Sequence, residues 1–338
     1  MIGQNLKDLT KQFSEAKKLI EKSEKVIITA HQRPDGDACG SVSALSRIIA
    51  DMGKQVFPLL VDDFPEWINM LFGGHQPTII NSSEDNQLWK KTPWKDADLI
   101  ILADALHPDR APGIEQLADG RIPSIVFDHH LGNDSFGDVK VVDSGSPAAG
   151  EIVFRFAKFL GYKPDKQVGL SLFAAMATDT GWFRYGKNLK AAYEAASELL
   201  ETGIDTAELF SVIYERESLA KMRLTSRMLD SLKLHGAAVV SGRVTHQDFR
   251  ESGAVESDTE GLINKLQALE GIQTTFLLIE RSPGEIKCSM RSKGDIIVRE
   301  VAEALGGGGH DLAAGVSFKC GFEEAERQIL EQIAIQTH

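Results

Sequence analysis

The stretch Val26-Ile27-Ile28-Thr29-Ala30-His31-Gln32-Arg33-Pro34-Asp35-Gly36-Asp37 decides both the fold of this chain and its chemistry. Its apolar, β-branched opening reads as a buried strand of a parallel sheet. An imidazole and two carboxylates follow directly, at the strand end where α/β sheets place their chemistry. The pattern recurs three times: Asp104 after Leu99-Ile100-Ile101-Leu102-Ala103, Asp128-His129-His130 after Ile125-Val126-Phe127, and Asp179 after Ala174-Ala175-Met176-Ala177-Thr178.

Outward from this stretch, strand-like runs alternate with helical patterns from residue 7 to about 205. Helices are expected at 7–22, 40–53, 147–160 and 166–178, and strands at 26–30, 55–61, 98–103 and 123–127. Such alternation predicts an α/β domain over 1–205, with a mostly parallel sheet and helices on both faces. Gly40 and Ser41 are expected to open the second helix, with Ser41 as its cap and the positive helix end turned toward the acidic cluster. Across 206–233, Leu219, Met222, Leu229 and Leu232 recur at helical intervals and predict a linker helix. Beyond it the β-rich runs 237–240, 275–281 and 286–291, with a helix at 262–269, predict a smaller α+β domain over 234–338.

Composition narrows the function. The chain has 338 residues, 42% hydrophobic and 25% charged, which suits an ordinary globular protein of two domains. Its net charge is −12, with nine of the excess negative charges in residues 1–219. That argues against binding long nucleic-acid backbones and leaves short anionic substrates open. The polar start Met1–Asp8 lacks the apolar core of a signal peptide, and no run approaches the ~18 apolar residues of a membrane span, so a cytoplasmic protein with no membrane partner is expected. Cys39, Cys288 and Cys320 are scattered and never form CxxC, so they read as small buried hydrophobes. Cys39, between Asp37 and Gly40, is the one whose oxidation would matter.

Single Asp residues after strands are commonly turn or cap residues, and a lone His31 is unremarkable. Convergence changes that reading. The C-terminal ends of parallel strands share one sheet edge, which would gather His31, Asp35, Asp37, Asp104, His129 and Asp179. A set rich in oxygen with a minority of imidazole suits Mn²⁺ first, with Mg²⁺ or Co²⁺ as alternatives. Six groups exceed what one ion needs if water also binds, and suit two divalent ions sharing a carboxylate.

These motifs, His31-x-x-Pro34-Asp35-x-Asp37-x-x-Gly40-Ser41, Asp104, Asp128-His129-His130 and Asp179, resemble the four signature motifs of the DHH phosphoesterase superfamily, in the same order. Ser289-Met290-Arg291-Ser292 and Gly306-Gly307-Gly308-Gly309-His310-Asp311-Leu312-Ala313-Ala314-Gly315 resemble the DHH-associated substrate-binding domain. The likeness is strongest to the NrnA-like group of bifunctional oligoribonucleases and 3′-phosphoadenosine 5′-phosphate (pAp) phosphatases. It implies that His31, Asp35 and Asp104 hold one ion and that Asp37, Asp104, His129 and Asp179 hold the other. It further implies that Asp128 orients the site, and that His130 faces the scissile phosphate to stabilise its charge or protonate the leaving group. Arg291, Ser292, Gly308, Gly309 and His310 would grip the nucleotide end that is not cleaved.

The implied activity is hydrolysis of short oligoribonucleotides of 2–5 nucleotides (nanoRNA), of the 3′-phosphate of pAp, or of both, by a hydroxide that two metal ions generate. A phosphodiesterase for cyclic dinucleotides or linear pApA is the alternative. The Gly-rich His310 element counts against an inorganic pyrophosphatase, and the chain length counts against a RecJ-like exonuclease. The intact ligand set counts against a non-catalytic nucleotide sensor. A homodimer is compatible with the resemblance.

Overall fold

A computed structural model of the chain describes residues 2–74, 76–81, 96–111, 122–132, 136–186 and 188–336. It divides into two compact units, Met1–Ile213 and Tyr214–His338.

The first unit is built on β1 (Lys25–Ala30), β2 (Gln55–Val61), β3 (Thr78–Ile80), β4 (Leu99–Ala103), β5 (Ser124–Asp128) and β6 (Val139–Val142). All pairs are parallel, in the order β3-β2-β1-β4-β5-β6. Strand order reverses between β1 and β4, and a crevice opens at such a switch point beyond the carboxyl ends of the strands. Its helices are α1 (Ile2–Lys22), α2 (Gly36–Asp51), α3 (Ala149–Phe159), α4 (Lys166–Asp179), α5 (Leu189–Leu200) and α6 (Thr206–Tyr214). Alternation divides the strands between two cores. Val26, Ile28 and Ala30 of β1 face the helices, whereas Ile27 joins Leu59, Ile100, Leu102 and Val126 on the other face. Among the described residues that second face is covered by residues such as Ala105, Leu106 and Ala111; residues 82–95 and 112–121, where further helices would fall, lie outside the described residues.

The second unit contains α7 (Leu219–Asp230), β7 (Lys233–His235), β8 (Val239–Val244), α8 (His246–Ser252), α9 (Leu262–Gln267), β9 (Thr274–Ser282), β10 (Glu285–Ser292), α10 (Val298–Ala304), β11 (Gly308–His310), β12 (Ala313–Phe318) and α11 (Phe322–Gln336). Its sheet runs β11-β12-β10-β9-β8-β7, antiparallel except for β8 with β9. Among the described residues, no helix is long and apolar enough to cross a membrane.

Two expectations need correction. The single linker helix over 206–233 is two helices, α6 and α7, assigned to different units. Ser218 interrupts the pattern: it is extended (ψ 153°) and its side chain accepts from Lys221 N–H, which caps a new helix. The helix expected at 40–53 begins four residues earlier, at Gly36, with Asp35 as its cap. Gly40 and Ser41 therefore lie inside α2. A Cβ on Gly40 would stand 2.4 Å from the Ser171 carbonyl oxygen, so this glycine permits α2 to pack against α4.

Candidate metal centre

The acidic and imidazole groups reach the crevice from the ends of β1, β4 and β5, the start of α2 and the last residue of α4. His31 leaves the end of β1, and its Nδ1 lies 2.8 Å from the Gln32 carbonyl, which turns Nε2 inward. Asp35 Oδ1 accepts from Asp37 and Ala38 N–H at 3.0 and 3.1 Å. The earlier helix start puts Asp37 in the first turn of α2. Gly36 is required there by packing, since its Cβ would fall 2.4 Å from Thr178 Oγ1. Asp104 follows β4 with φ 55°, a left-handed conformation that Asp tolerates better than most residues.

Asp37 is 1% exposed and has partners that the sequence did not reveal. Its oxygens accept from Ala149 and Gly150 N–H, at 2.7 and 2.8 Å, at the start of α3. Ala148 gives that helix no side-chain cap, so Asp37 satisfies donors at the helix N-terminus from 112 residues away. A helix start without its own capping residue was the available signal. Ser41 is no cap either, since its hydroxyl donates to Asp37 Oδ1 at 3.4 Å.

The groups then close on one another. His31 Nε2 lies 3.4 Å from Asp104 Oδ2 and 3.9 Å from Asp35 Oδ1. His129 Nε2 is nearly equidistant from three carboxylates, at 3.6 Å from Asp104 Oδ1, 3.7 Å from Asp179 Oδ2 and 3.8 Å from Asp37 Oδ2. Most of these separations exceed hydrogen-bonding distance. Two ligand atoms each ~2.1 Å from a shared ion stand roughly 3.0–3.5 Å apart at ordinary coordination angles, close to these separations. His31, Asp35 and Asp104 form one group and Asp37, His129 and Asp179 another, each with its ligand atoms within 4.8 Å.

Electrostatics favours the same reading. Burial, then repulsion from Asp104 and Asp179, holds the Asp37 carboxyl well above its usual range despite its backbone donors. Asp104 is raised well above by burial, then by Asp35 and Asp128. Asp179 is raised chiefly by burial, partly offset by His129. Asp104 Oδ1 and Asp128 Oδ2 are buried without hydrogen-bond partners. Buried acceptors left open among mutually repelling carboxylates fit bound cations.

Asp128 acts on its neighbours. Its Oδ1 accepts from His129 N–H (2.6 Å), His130 N–H (3.0 Å) and His130 Nδ1 (2.8 Å). His130 Nδ1 is thereby occupied and Nε2 is left to face outward on a half-exposed ring. The Asp128 bond is the main cause of a raised His130 pKa. Cys39 is fully buried and burial pushes its thiol up, which makes it a poor nucleophile.

In the second unit, Lys287, Ser289 and Arg291 alternate onto one face of β10, opposite the buried Ile286, Cys288, Met290 and Ser292. Register extends that face through Ala313 and Gly315 of β12 to Gly308 and His310 of β11. The result is a shelf of small residues flanked by cations. Lys287, Ser289 and Arg291 also line a groove of ≈ 540 Å³. Among the described residues the Arg291 guanidinium donates only to the Met290 carbonyl, and partial desolvation lowers its pKa.

The four glycines of 306–309 are mostly structural. Gly306 ends α10 at φ 84°, and Gly307 and Gly309 lie where a Cβ would strike β12. Gly308 alone of the four combines open space above it with a backbone angle that any residue can adopt. Ser292 and Gly309 are not on the open face, and the Ser292 hydroxyl accepts from Gly294 and Ile296 N–H.

A switch-point crevice lined by mutually repelling carboxylates and imidazoles in the first unit, and a cationic shelf on the second, are the features of a two-domain metal-dependent phosphoesterase. Residues 25–178 match the DHH family N-terminal domain and residues 236–336 match the DHHA1 domain, so both domains are present in the chain. It is 29% identical to the bifunctional oligoribonuclease and PAP phosphatase NrnA of Thermus thermophilus, over 91% of this chain and 89% of that protein. It is 28% identical to the cyclic-di-AMP phosphodiesterase GdpP of Geobacillus thermodenitrificans, over 94% of this chain but 48% of that protein. The fold matches the crystal structure of an exopolyphosphatase-related protein from Bacteroides fragilis with a TM-score of 0.84 at 25% identity, covering 97% of this chain and 98% of the other.

Proposed function

We propose that the protein hydrolyses short oligoribonucleotides to mononucleotides and removes the 3′-phosphate of pAp. The observation that carries this reading is Asp104, whose two oxygens face two different imidazoles, His31 at 3.4 Å and His129 at 3.6 Å. In this reading His31, Asp35 and Asp104 hold one divalent ion. Asp37, Asp104, His129 and Asp179 hold the other, with Asp104 shared. The bound ions, Mn²⁺ in this proposal with Mg²⁺ or Co²⁺ as substitutes, would supply hydroxide near neutral pH and neutralise phosphate oxygens.

The chain's own residues do the rest. Asp128 holds His130 Nδ1, so that Nε2 can give a proton to the leaving oxygen or stabilise the phosphoryl charge. In the second unit Arg291 offers a planar pair of donors to a terminal phosphate, and His310 adds a side-chain donor. A sugar and base fit the flat surface at Gly308, Ala313 and Gly315, where bulkier side chains would obstruct them. The net charge of −12 supports short substrates over long ones. Likeness to NrnA proteins supports this choice of substrate, and likeness to GdpP supports a second reading, a phosphodiesterase for cyclic or linear dinucleotides.

The test is a substrate panel with metal-stripped protein given back Mn²⁺: pAp, a diribonucleotide, a 20-mer RNA, cyclic di-AMP, pApA and pyrophosphate. Phosphate from pAp and mononucleotides from the dinucleotide are expected, with slower turnover per end on the 20-mer. Preferred cleavage of cyclic di-AMP or pApA would select the second reading, and turnover of pyrophosphate alone would reject both.

A further inference from the structure

The loop after Asp104 carries a cation that the roles above leave unused. Its residues Pro108–Arg110 form a single 3-10 turn, closed by Ala111 N–H donating to the Pro108 carbonyl at 2.9 Å. Ala111 and Ala105 are buried in the core beneath the sheet, which holds the loop down at both ends. On one side, Gln32 N–H donates to the Arg110 carbonyl at 2.5 Å, one residue from His31. On the other, Leu106 Cδ1 lies 2.7 Å from where a Cβ on Gly132 would stand, so the loop rests on the segment leaving His130. The Arg110 backbone is therefore fixed between the loops that bear His31 and His130.

The Arg110 side chain is exposed and makes no ion pair or hydrogen bond among the described residues. Its backbone position puts that free side chain on the loop between the two motifs that carry His31 and His130. A guanidinium on a loop next to the acidic cluster, paired with none of the described carboxylates, keeps its planar fork of donors for another anion. An anionic substrate entering a pocket lined with carboxylates needs such a partner.

We propose that Arg110 is a further catalytic residue, whose guanidinium holds the non-bridging oxygens of the phosphoryl group under attack, beside His130 Nε2. This inference rests on the phosphoesterase reading above. In the step it serves, the bond from the attacking oxygen to phosphorus forms as the bond to the leaving oxygen breaks. The leaving oxygen gains a proton while Arg110 keeps all of its own.

The experiment compares wild type with Arg110→Ala and Arg110→Lys in Mn²⁺, on pAp and on the minimal diester bis-p-nitrophenyl phosphate. Inorganic phosphate binding to the same proteins is followed by calorimetry. Loss of a donor to the transition-state oxygens typically lowers kcat by about 10²–10³, and a loss of that size is expected on both substrates, with KM changed much less. Lysine should restore only part, because an ammonium lacks the paired planar donors. Phosphate binding should weaken roughly tenfold or more, as loss of a charge-assisted bond implies. A kcat near wild type on both substrates would overturn the proposal, as would a loss confined to KM for pAp. If wild type turns over neither substrate, the phosphoesterase reading fails instead. Equal phosphate binding by wild type and Arg110→Ala would then still reject the role of Arg110.

Discussion

Asp104→Asn should make the metal-free protein more stable and the metal-loaded protein less stable. Asparagine has nearly the same shape and also tolerates the left-handed backbone at φ 55°, so the substitution removes charge with little strain. In the absence of metal, Asp104 is a 2%-exposed carboxylate raised by burial and by Asp35 and Asp128, with one oxygen unpartnered. Because its folded-state pKa lies above the unfolded value, it destabilises the folded state once pH exceeds the unfolded value, about 3.9 for a free carboxyl. A buried polar group without a partner costs about 1–3 kcal/mol, and more when charged.

One kcal/mol moves the melting midpoint of a unit this size by about 2–4 °C. In EDTA the variant should therefore melt some 3–10 °C above wild type, from the same scale. Mn²⁺ at a hundred times its Kd should stabilise wild type by about 2.7 kcal/mol, roughly 5–11 °C, and should barely shift a variant that has lost a ligand to both proposed ions. Differential scanning calorimetry with EDTA and with Mn²⁺ reads both effects, and the order of the two proteins should reverse. A variant that melts below wild type in EDTA, or that gains as much from Mn²⁺, would refute the reasoning.

The remaining predictions concern other parts of the molecule. Asp128→Asn removes the main cause of the raised His130 pKa, so if His130 acts as the acid, the alkaline limb of the pH–rate profile should move to lower pH; an unmoved limb would mean that His130 donates no proton. Gly40→Ala should destabilise the first unit by about 1–3 kcal/mol in urea melts, because its Cβ meets a helix carbonyl at 2.4 Å; a neutral effect would show that α2 and α4 can separate at little cost. Arg291→Ala should raise KM for pAp by about 10–100-fold with little change in kcat, as loss of a charged hydrogen bond used in binding implies, whereas a fall in kcat alone would remove it from the proposed binding surface.

The candidate site was legible because most of its groups sit in short clusters just past strand ends, where one sheet edge collects them, although Asp179 comes from the end of helix α4. His31, Asp104 and Asp128 are placed by β1, β4 and β5, whose apolar runs are unmistakable. The start of α2 lies four residues before the expected one, because Gly36 and Gly40 let the helix approach Thr178 and Ser171 and so continue it through both glycines. The short edge strands β3 and β6 were also missed, having too few residues to show a period. Partners from distant sequence stayed hidden, including the Ala149 and Gly150 donors to Asp37 and the place of Arg110 between two motif loops. In the glycine run, pattern alone could not separate the three glycines that packing or backbone angle requires from Gly308, which has open space above it.

The proposed chemistry depends most directly on two ions sharing Asp104. Diffraction from Mn²⁺-soaked crystals at the manganese absorption edge should give two anomalous peaks about 3.5–4 Å apart, one on each side of Asp104. One should lie against His31 and Asp35, the other against Asp37, His129 and Asp179. A single peak, or a pair that leaves Asp104 untouched, would contradict it.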